Sequence, residues 1–252
     1  MSKIALITGA TAGIGEACAR LFAQEKYNLI LLARRTEKLE ELAVKLRQQF
    51  DVQVKIITAD VRNKADVSKL ETLENEWKKV DILINNAGLS QGLDPIQEGN
   101  PDDWDTMIDT NVKGLLYVTR VVSPWMVERK SGHIINIGSI AGKETYANGN
   151  VYCATKHAVD SLNKAMRIDL LAHSIKVTAI HPGAVETEFS EVRFKGDKER
   201  AKKVYEGFEP LHAQDIAEAI WFAVSRPAHV NINDMLIMPT AQANTTHLLK
   251  SE

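Results

Sequence analysis

The sequence predicts an α/β fold: one doubly wound parallel sheet of about seven strands with helices on both faces. Three observations carry this. Short apolar runs alternate with longer amphipathic ones along most of the chain. The runs are apolar throughout rather than alternating, which is the habit of parallel strands buried on both faces. The segments between them are long enough for helical crossovers, and right-handed crossovers put helices on both sides of a sheet.

The elements follow in order. Residues 4–8 (IALIT) form the first strand, and 14–26 have helical spacing. Residues 28–33 (NLILLA) are the second strand. Residues 36–50 are a charged helix with Leu39, Leu42 and Leu46 on one face. A third strand over 54–59 precedes a helix over 64–79, and a fourth over 81–85 (DILIN) precedes a helix over about 102–130. Asn111 falls inside that last helix, where Asn is a poor residue, so a kink or a bound water is expected there, against the plainer reading of a surface Asn. A fifth strand covers 133–138 (HIINIG), a helix about 150–173, and a sixth strand 175–180 (IKVTAI). Residues 186–209 are polar and basic, and read as a mobile segment or short helices. A helix over 215–224 and a seventh strand over 235–238 complete the chain.

Composition excludes several classes. The 252 residues carry 31 Lys and Arg against 33 Asp and Glu, with no basic block, so no nucleic-acid partner is expected. Hydrophobic residues are 44% and charged residues 25%, ordinary globular usage. No run approaches the roughly 18 apolar residues that cross a membrane, and the first apolar run is too short for a secretory signal. Two cysteines, Cys18 and Cys153, make neither a disulfide framework nor a zinc cluster, so no metal is expected. The expectation is a soluble, cytoplasmic protein of a reducing compartment, with no membrane partner. No linker, low-complexity block or repeat divides the chain.

The turn after the first strand, Thr8-Gly9-Ala10-Thr11-Ala12-Gly13-Ile14-Gly15, opens a helix. Glycine permits positive φ and close backbone approach. A helix N-terminus offers free N–H groups and a positive dipole end to a diphosphate. The spacing is G-x-x-x-G-x-G rather than the generic dinucleotide fingerprint, and a ligand-free tight turn is the alternative. At the tip of the second strand stand Ala33, Arg34 and Arg35, with no carboxylate. An acidic residue there suits a ribose hydroxyl, whereas arginine suits a 2′-phosphate, so NADP is favoured over NAD. Asp60, followed by Val61, ends the third strand and suits either an adenine amino group or a helix cap. Asn85-Asn86-Ala87-Gly88 lets backbone pass close to a cofactor, or is a plain turn.

Tyr152 and Lys156 are four apart near a helix start, and so share a face. An ammonium beside a phenol lowers its pKa from about 10, and a tuned Tyr can exchange a proton with an alcohol or carbonyl. Ser139 follows the fifth strand, on the same side of the sheet as the glycine turn; it can hold a substrate oxygen or cap a turn.

Together these residues resemble the short-chain dehydrogenases/reductases. Thr8–Gly15, Asn85–Gly88, Asn111, Ser139, Tyr152, Lys156 and Pro182-Gly183 with Thr187 stand in family order over essentially the whole chain. Within the family, residues 105–114, 133–139, 188–197 and 227–233 are similar to the NADP-dependent 3-hydroxy acid dehydrogenases, the serine or L-allo-threonine dehydrogenase type. The resemblance implies a Rossmann-type sheet in the order 3-2-1-4-5-6-7. It implies Tyr152 as general acid/base and Lys156 as the group that lowers its pKa and binds the nicotinamide ribose. Ser139 would orient the substrate, Asn111 would hold a proton-relaying water, and Pro182, Gly183, Val185 and Thr187 would line the cofactor. It implies NADP as cofactor and a homotetramer built on the 102–130 and 150–173 helices.

A 3-hydroxy acid carries a carboxylate, for which Arg193 and Lys195 are candidates; solvated surface charges are the alternative. Because the glycine turn and the Tyr–Lys pair must meet over one cofactor, residues 1–252 are expected to form a single domain, with 186–210 covering the substrate. The competing functions are a carbonyl or 3-oxoacyl reductase of the same family and a non-catalytic NADP-binding sensor.

Overall fold

The computed structural model describes residues 2–251. Its strands are β1 (Ile4–Thr8), β2 (Asn28–Ala33), β3 (Val54–Thr58), β4 (Ile82–Asn85), β5 (Gly132–Ile137), β6 (Ile175–Pro182), two short strands β7 (Val185–Glu186) and β8 (Leu211–His212), and β9 (Asp234–Ile237). The helices are α1 (Gly13–Gln24), α2 (Thr36–Phe50), α3 (Lys64–Val67), α4 (Pro101–Ile108), α5 (Leu115–Arg129), α6 (Asn150–Asp169), α7 (Phe189–Arg193), α8 (Lys198–Lys203) and α9 (Ala213–Val224). Seven strands form one sheet in the order β3-β2-β1-β4-β5-β6-β9, every pair parallel.

The strand pleat divides the core. Ala5, Ile7, Leu29 and Leu31 pack beneath α1, α2 and α9, while Leu6, Ile30, Leu32 and Leu83 face α5 and α6. On the first side Phe22, Tyr27 and Trp221 meet edge to face, with centroids 5.2, 5.5 and 5.9 Å apart. Such pairs each add about 0.5–1.5 kcal/mol beyond area burial. No helix among the described residues is long and apolar enough to cross a membrane.

The third predicted helix is shorter than its pattern. α3 ends at Val67, and a 3-10 turn over Ser68–Thr72 follows. The Ser68 hydroxyl donates to the Ala65 carbonyl and Thr72 to that of Lys69, which competes with the helix ladder. The helix expected over about 102–130 is continuous but irregular: residues Asp109–Gly114 between α4 and α5 are π-helical. Asn111, where a kink was expected, lies inside this wide turn. The basic segment after residue 186 forms short helices, and β7 and β8, which flank it, pair with each other.

The strand order reverses between β1 and β4. In a parallel sheet the crevice beyond the carboxyl ends of such strands is where ligands bind.

Candidate active site

The turn after β1 is held from both sides. Gly9 N donates to Leu32 O at 2.8 Å. The Thr8 hydroxyl accepts from Asn86 N at 3.0 Å and Ala87 N at 2.9 Å, and Asn86 Nδ2 donates to Thr8 O at 2.8 Å. Gly9 has φ +66°, and a Cβ there would lie 2.9 Å from Asn86 Nδ2. Gly13 has φ +52° and faces Thr187, whose Cγ2 would lie 3.1 Å from an added Cβ. Ala12 stands at the N-cap of α1 and supplies no side-chain cap. The first amides of α1 are thus free for an anion, in a cradle that side chains at Gly9 and Gly13 would fill. The residues fit a dinucleotide diphosphate. Gly15 differs from the other turn glycines: a Cβ there would fall 2.3 Å from Gly9 O, so it lets α1 approach the turn and is not part of the cavity lining.

At the tip of β2, Arg35 is fixed by the turn. Its Nε and Nη2 donate to the Thr11 hydroxyl at 3.1 and 3.0 Å, and Nη1 donates to Glu188 Oε2 at 2.9 Å. Lys38 Nζ lies 3.2 Å from Glu188 Oε1. Burial would raise the Glu188 pKa, but Arg35 and Lys38 overcome it and lower it. Sequence reasoning found Arg34 and Arg35 but missed Lys38 and Glu188, since nothing local announces a carboxylate some 150 residues away. Asp60 is no helix cap. Its carboxylate is forked onto Arg62, with Nη2 2.6 Å from Oδ2, and Asn63 caps α3 by accepting from Ala65 N at 2.9 Å. Burial would raise the Asp60 pKa, but Arg62 and then Arg34 hold it low. Asp60, Val61, Ala87 and Gly88 line the same cavity.

α6 carries the Tyr–Lys pair singled out in the sequence. Tyr152 and Lys156 are 8% and 6% exposed. Lys156 Nζ donates to Ile137 O at 2.9 Å and sits 5.9 Å from the Tyr152 ring centroid. Ser139 caps the turn after β5, its hydroxyl accepting from Ala141 N at 3.1 Å. Asn111 accepts from Leu89 N at 2.8 Å and donates to Leu89 O at 2.8 Å and to the Thr155 hydroxyl at 3.0 Å. It therefore ties the wide helical turn to α6 one residue from Lys156, but does not itself line the cavity.

Burial dominates the titration here. It pushes the Tyr152 hydroxyl well above its ordinary value, with Tyr146 adding to the rise, while Arg193 and the Ser139 hydroxyl pull it down. Burial lowers Lys156 to about 8. Arg193 is a cation that lowers the Tyr152 pKa, and the Lys156 ammonium over the ring is engaged by the Ile137 carbonyl.

The cavity over these groups measures about 530 Å³. Pro182, Gly183, Val185 and Thr187 line it, with residues of the 186–210 segment above. The two substrate-cation candidates part company. Arg193 stands over the Tyr152 ring at 5.3 Å and the Phe189 ring at 5.0 Å, and Nη2 donates to the Tyr146 hydroxyl at 3.1 Å. Its Nε is buried without a partner among the described residues. Lys195 turns outward to Asp103, 2.9 Å away, and is not part of the cavity lining. The C-terminal segment also contributes: Gln242, Thr245 and Leu248 line the cavity, and Gln242 Oε1 accepts from Ala184 N at 2.8 Å. No pattern in the sequence announced them. Cys18 and Cys153 are free and buried, with their pKa values raised by burial.

The sequence profile of the short chain dehydrogenase family matches residues 3–198. The chain belongs to this family. It is 49% identical over 244 residues to an NADP-dependent 3-hydroxy acid dehydrogenase of Salmonella typhi, covering 95% of this chain and 96% of the relative. It is 44% identical over 245 residues to sulfoacetaldehyde reductase 2 of Chromohalobacter salexigens, covering 96% of each chain. Among solved structures, the closed form of serine dehydrogenase complexed with NADP+ superposes with a TM-score of 0.92 at 47% identity, covering 99% of this chain and all of the other.

Proposed function

We propose that this short-chain dehydrogenase is an NADP-dependent oxidoreductase acting on the CH–OH group of small 3-hydroxy acids, such as serine, L-allo-threonine or 3-hydroxypropionate. The observation that carries the reading is Arg193. Its guanidinium stands over the ring of Tyr152, and the residue forms part of the cavity wall. A planar guanidinium fork matches a carboxylate. The relatives support it: one acts by name on a 3-hydroxy acid and another on sulfoacetaldehyde, so both handle anions.

NADP, when bound, accepts or supplies the hydride. The glycine turn and the amides of α1 hold its diphosphate, and Arg35, with Arg34, favours its 2′-phosphate. Ser139 orients the substrate hydroxyl toward Tyr152, and Tyr152 takes the hydroxyl proton as the C–H bond is broken. Lys156, in a site dry enough to lower it to about 8, binds the nicotinamide ribose and lies next to the proton path. Arg193 holds the carboxylate and, by its charge, favours phenolate at Tyr152. In the reverse direction the same groups protonate a carbonyl. A second reading, reduction of a small anionic aldehyde, is favoured by the same arginine, since a sulfonate presents equivalent acceptor oxygens.

The reading takes the chain as one catalytic domain in a reducing, cytoplasmic setting. It takes the active form as a homotetramer, supported by exposed apolar residues on the α4–α5 and α6 elements: Ile108, Leu116 and Ile168. Size-exclusion chromatography with light scattering reads that state. Function is tested by following nicotinamide absorbance with L-serine, L-allo-threonine and 3-hydroxypropionate, against uncharged secondary alcohols and sulfoacetaldehyde, with Tyr152→Phe as control. Preference for uncharged alcohols, or turnover undiminished in the Phe variant, would overturn it.

A further inference from the structure

His181 precedes the Pro182-Gly183 corner and has no exposed surface. Nε2 lies 2.9 Å from Asp234 Oδ1 and 3.6 Å from Asp160 Oδ1. Nδ1 lies 3.3 Å from the main-chain oxygen of Ser139. A Cβ on Gly138 would fall 2.3 Å from Nδ1, so the ring packs directly against the backbone that carries Ser139.

Asp160, His181 and Asp234 present ligand atoms close enough together for a metal ion. Lys143 already supplies the cation. Its Nζ is 2.7 Å from Asp160 Oδ1 and 3.0 Å from Asp234 Oδ1, bridging the two carboxylates. Lys164 lies 2.7 Å from the other oxygen of Asp160, and Arg167 3.7 Å from Asp234. The cluster thus joins four pieces of the site. Lys143 follows the Ser139 turn, Asp160 lies one helical turn beyond Lys156, His181 precedes the nicotinamide-lining corner, and Asp234 begins β9.

A carboxylate only accepts hydrogen bonds, so the contact with Asp234 assigns the ring hydrogen to Nε2. Nδ1 then presents a lone pair to the Ser139 carbonyl, which accepts instead from Gly142 N at 2.9 Å. The 3.3 Å approach is therefore a packing contact, and the ring acts as a wedge pinned from behind. Burial, and then Lys143, keep it neutral, against the pull of Asp234 and Asp160.

We propose that His181 is a positioning residue for Ser139: pinned at Nε2 by Asp234, its ring sets the height of the Gly138–Ser139 backbone and so the register of the Ser139 and Tyr152 hydroxyls. The inference rests on the role given to Ser139 under the proposed function. Pinning of this kind matters because small displacements of a reacting group cost large factors in rate.

The test is a double-mutant cycle on the full chain, using the best substrate of the panel above and NADPH binding followed by its fluorescence. Ser139→Ala alone must lower kcat/KM; if it does not, the role of Ser139 fails, and His181 with it. His181→Ala is expected to lower kcat/KM about tenfold or more in the native background and less than about twofold in the Ser139→Ala background, with the Kd for NADPH within twofold. His181→Gln, which can still donate to Asp234, is expected to recover most of the loss. His181→Asn serves the same cycle if the alanine variant does not fold. Equal losses in both backgrounds, or a parallel loss of NADPH binding, would overturn the proposal and make His181 a general support of the corner.

Discussion

Replacing Arg193 with Ala separates two things the arginine does. The guanidinium holds the substrate carboxylate in the proposed reading, and its charge also lowers the Tyr152 pKa from 5.3 Å above the ring. The second effect falls on every substrate, because in the proposed mechanism Tyr152 exchanges the proton whichever alcohol is bound. Only the first depends on substrate charge. The discriminating quantity is therefore the ratio of kcat/KM for a hydroxy acid to that for an uncharged secondary alcohol. A hydrogen bond to a charged group contributes about 1.5–3 kcal/mol, and each 1.4 kcal/mol is about tenfold. The ratio should fall by about 10- to 150-fold, mostly through KM of the acid. Arg193→Lys should recover part of it, keeping the charge without the fork. The common effect appears separately: with Arg193 gone, the rising limb of alcohol oxidation moves to higher pH for all substrates. Steady-state kinetics across pH with L-serine and 2-propanol reads both. A ratio that stays constant in Arg193→Ala would refute the carboxylate assignment even if all rates fell.

Three further outcomes are expected. Arg35→Ala should weaken 2′,5′-ADP binding about tenfold or more by calorimetry while leaving ADP nearly unchanged, because the proposed 2′-phosphate role falls on a side chain that Thr11 and Glu188 hold in place; equal losses for both would refute that role. Lys156 has a folded pKa of about 8 against an unfolded value near 10.5, so the unfolded chain binds more protons across that window and stability rises with pH through it. At neutral pH its burial costs about 3 kcal/mol, and Lys156→Met should be inactive yet raise Tm by several degrees at pH 7 and by less at pH 10. His133, buried with a pKa lowered to about 3, contributes full stability above about pH 6.5, and this is lost as pH falls toward 3. His133→Gln, which keeps a partner for Thr178, should unfold at a lower pH in acid titrations followed by circular dichroism.

These side chains also show where sequence reasoning runs out. The central sheet strands β1, β2, β4 and β5 were legible because each is buried on both faces, and that pattern needs no partner to be read. The Tyr152–Lys156 pair was legible because helical spacing alone puts both on one face. Lys195 looked equivalent to Arg193, two residues away in the same basic run. What separates them is Asp103, on a helix some 90 residues earlier, which takes Lys195 outward. The helix expected over 64–79 failed for a local reason the apolar pattern does not carry, namely Ser68 and Thr72 bonding back to the chain.

Asn111 lies between these cases. Its poor helix propensity marked a disturbance, and the disturbance is a π-helical turn whose side-chain bonds reach Leu89 and Thr155. The propensity argument could locate the fault but not its purpose, because the partners lie on a loop and on another helix. A regular helix through 109–114 would rotate Asn111 away from both. Weak local structure at this point is what allows α4–α5 to grip α6 beside Lys156, so a local conflict in the sequence marks a position where tertiary contacts, not propensity, decide the backbone.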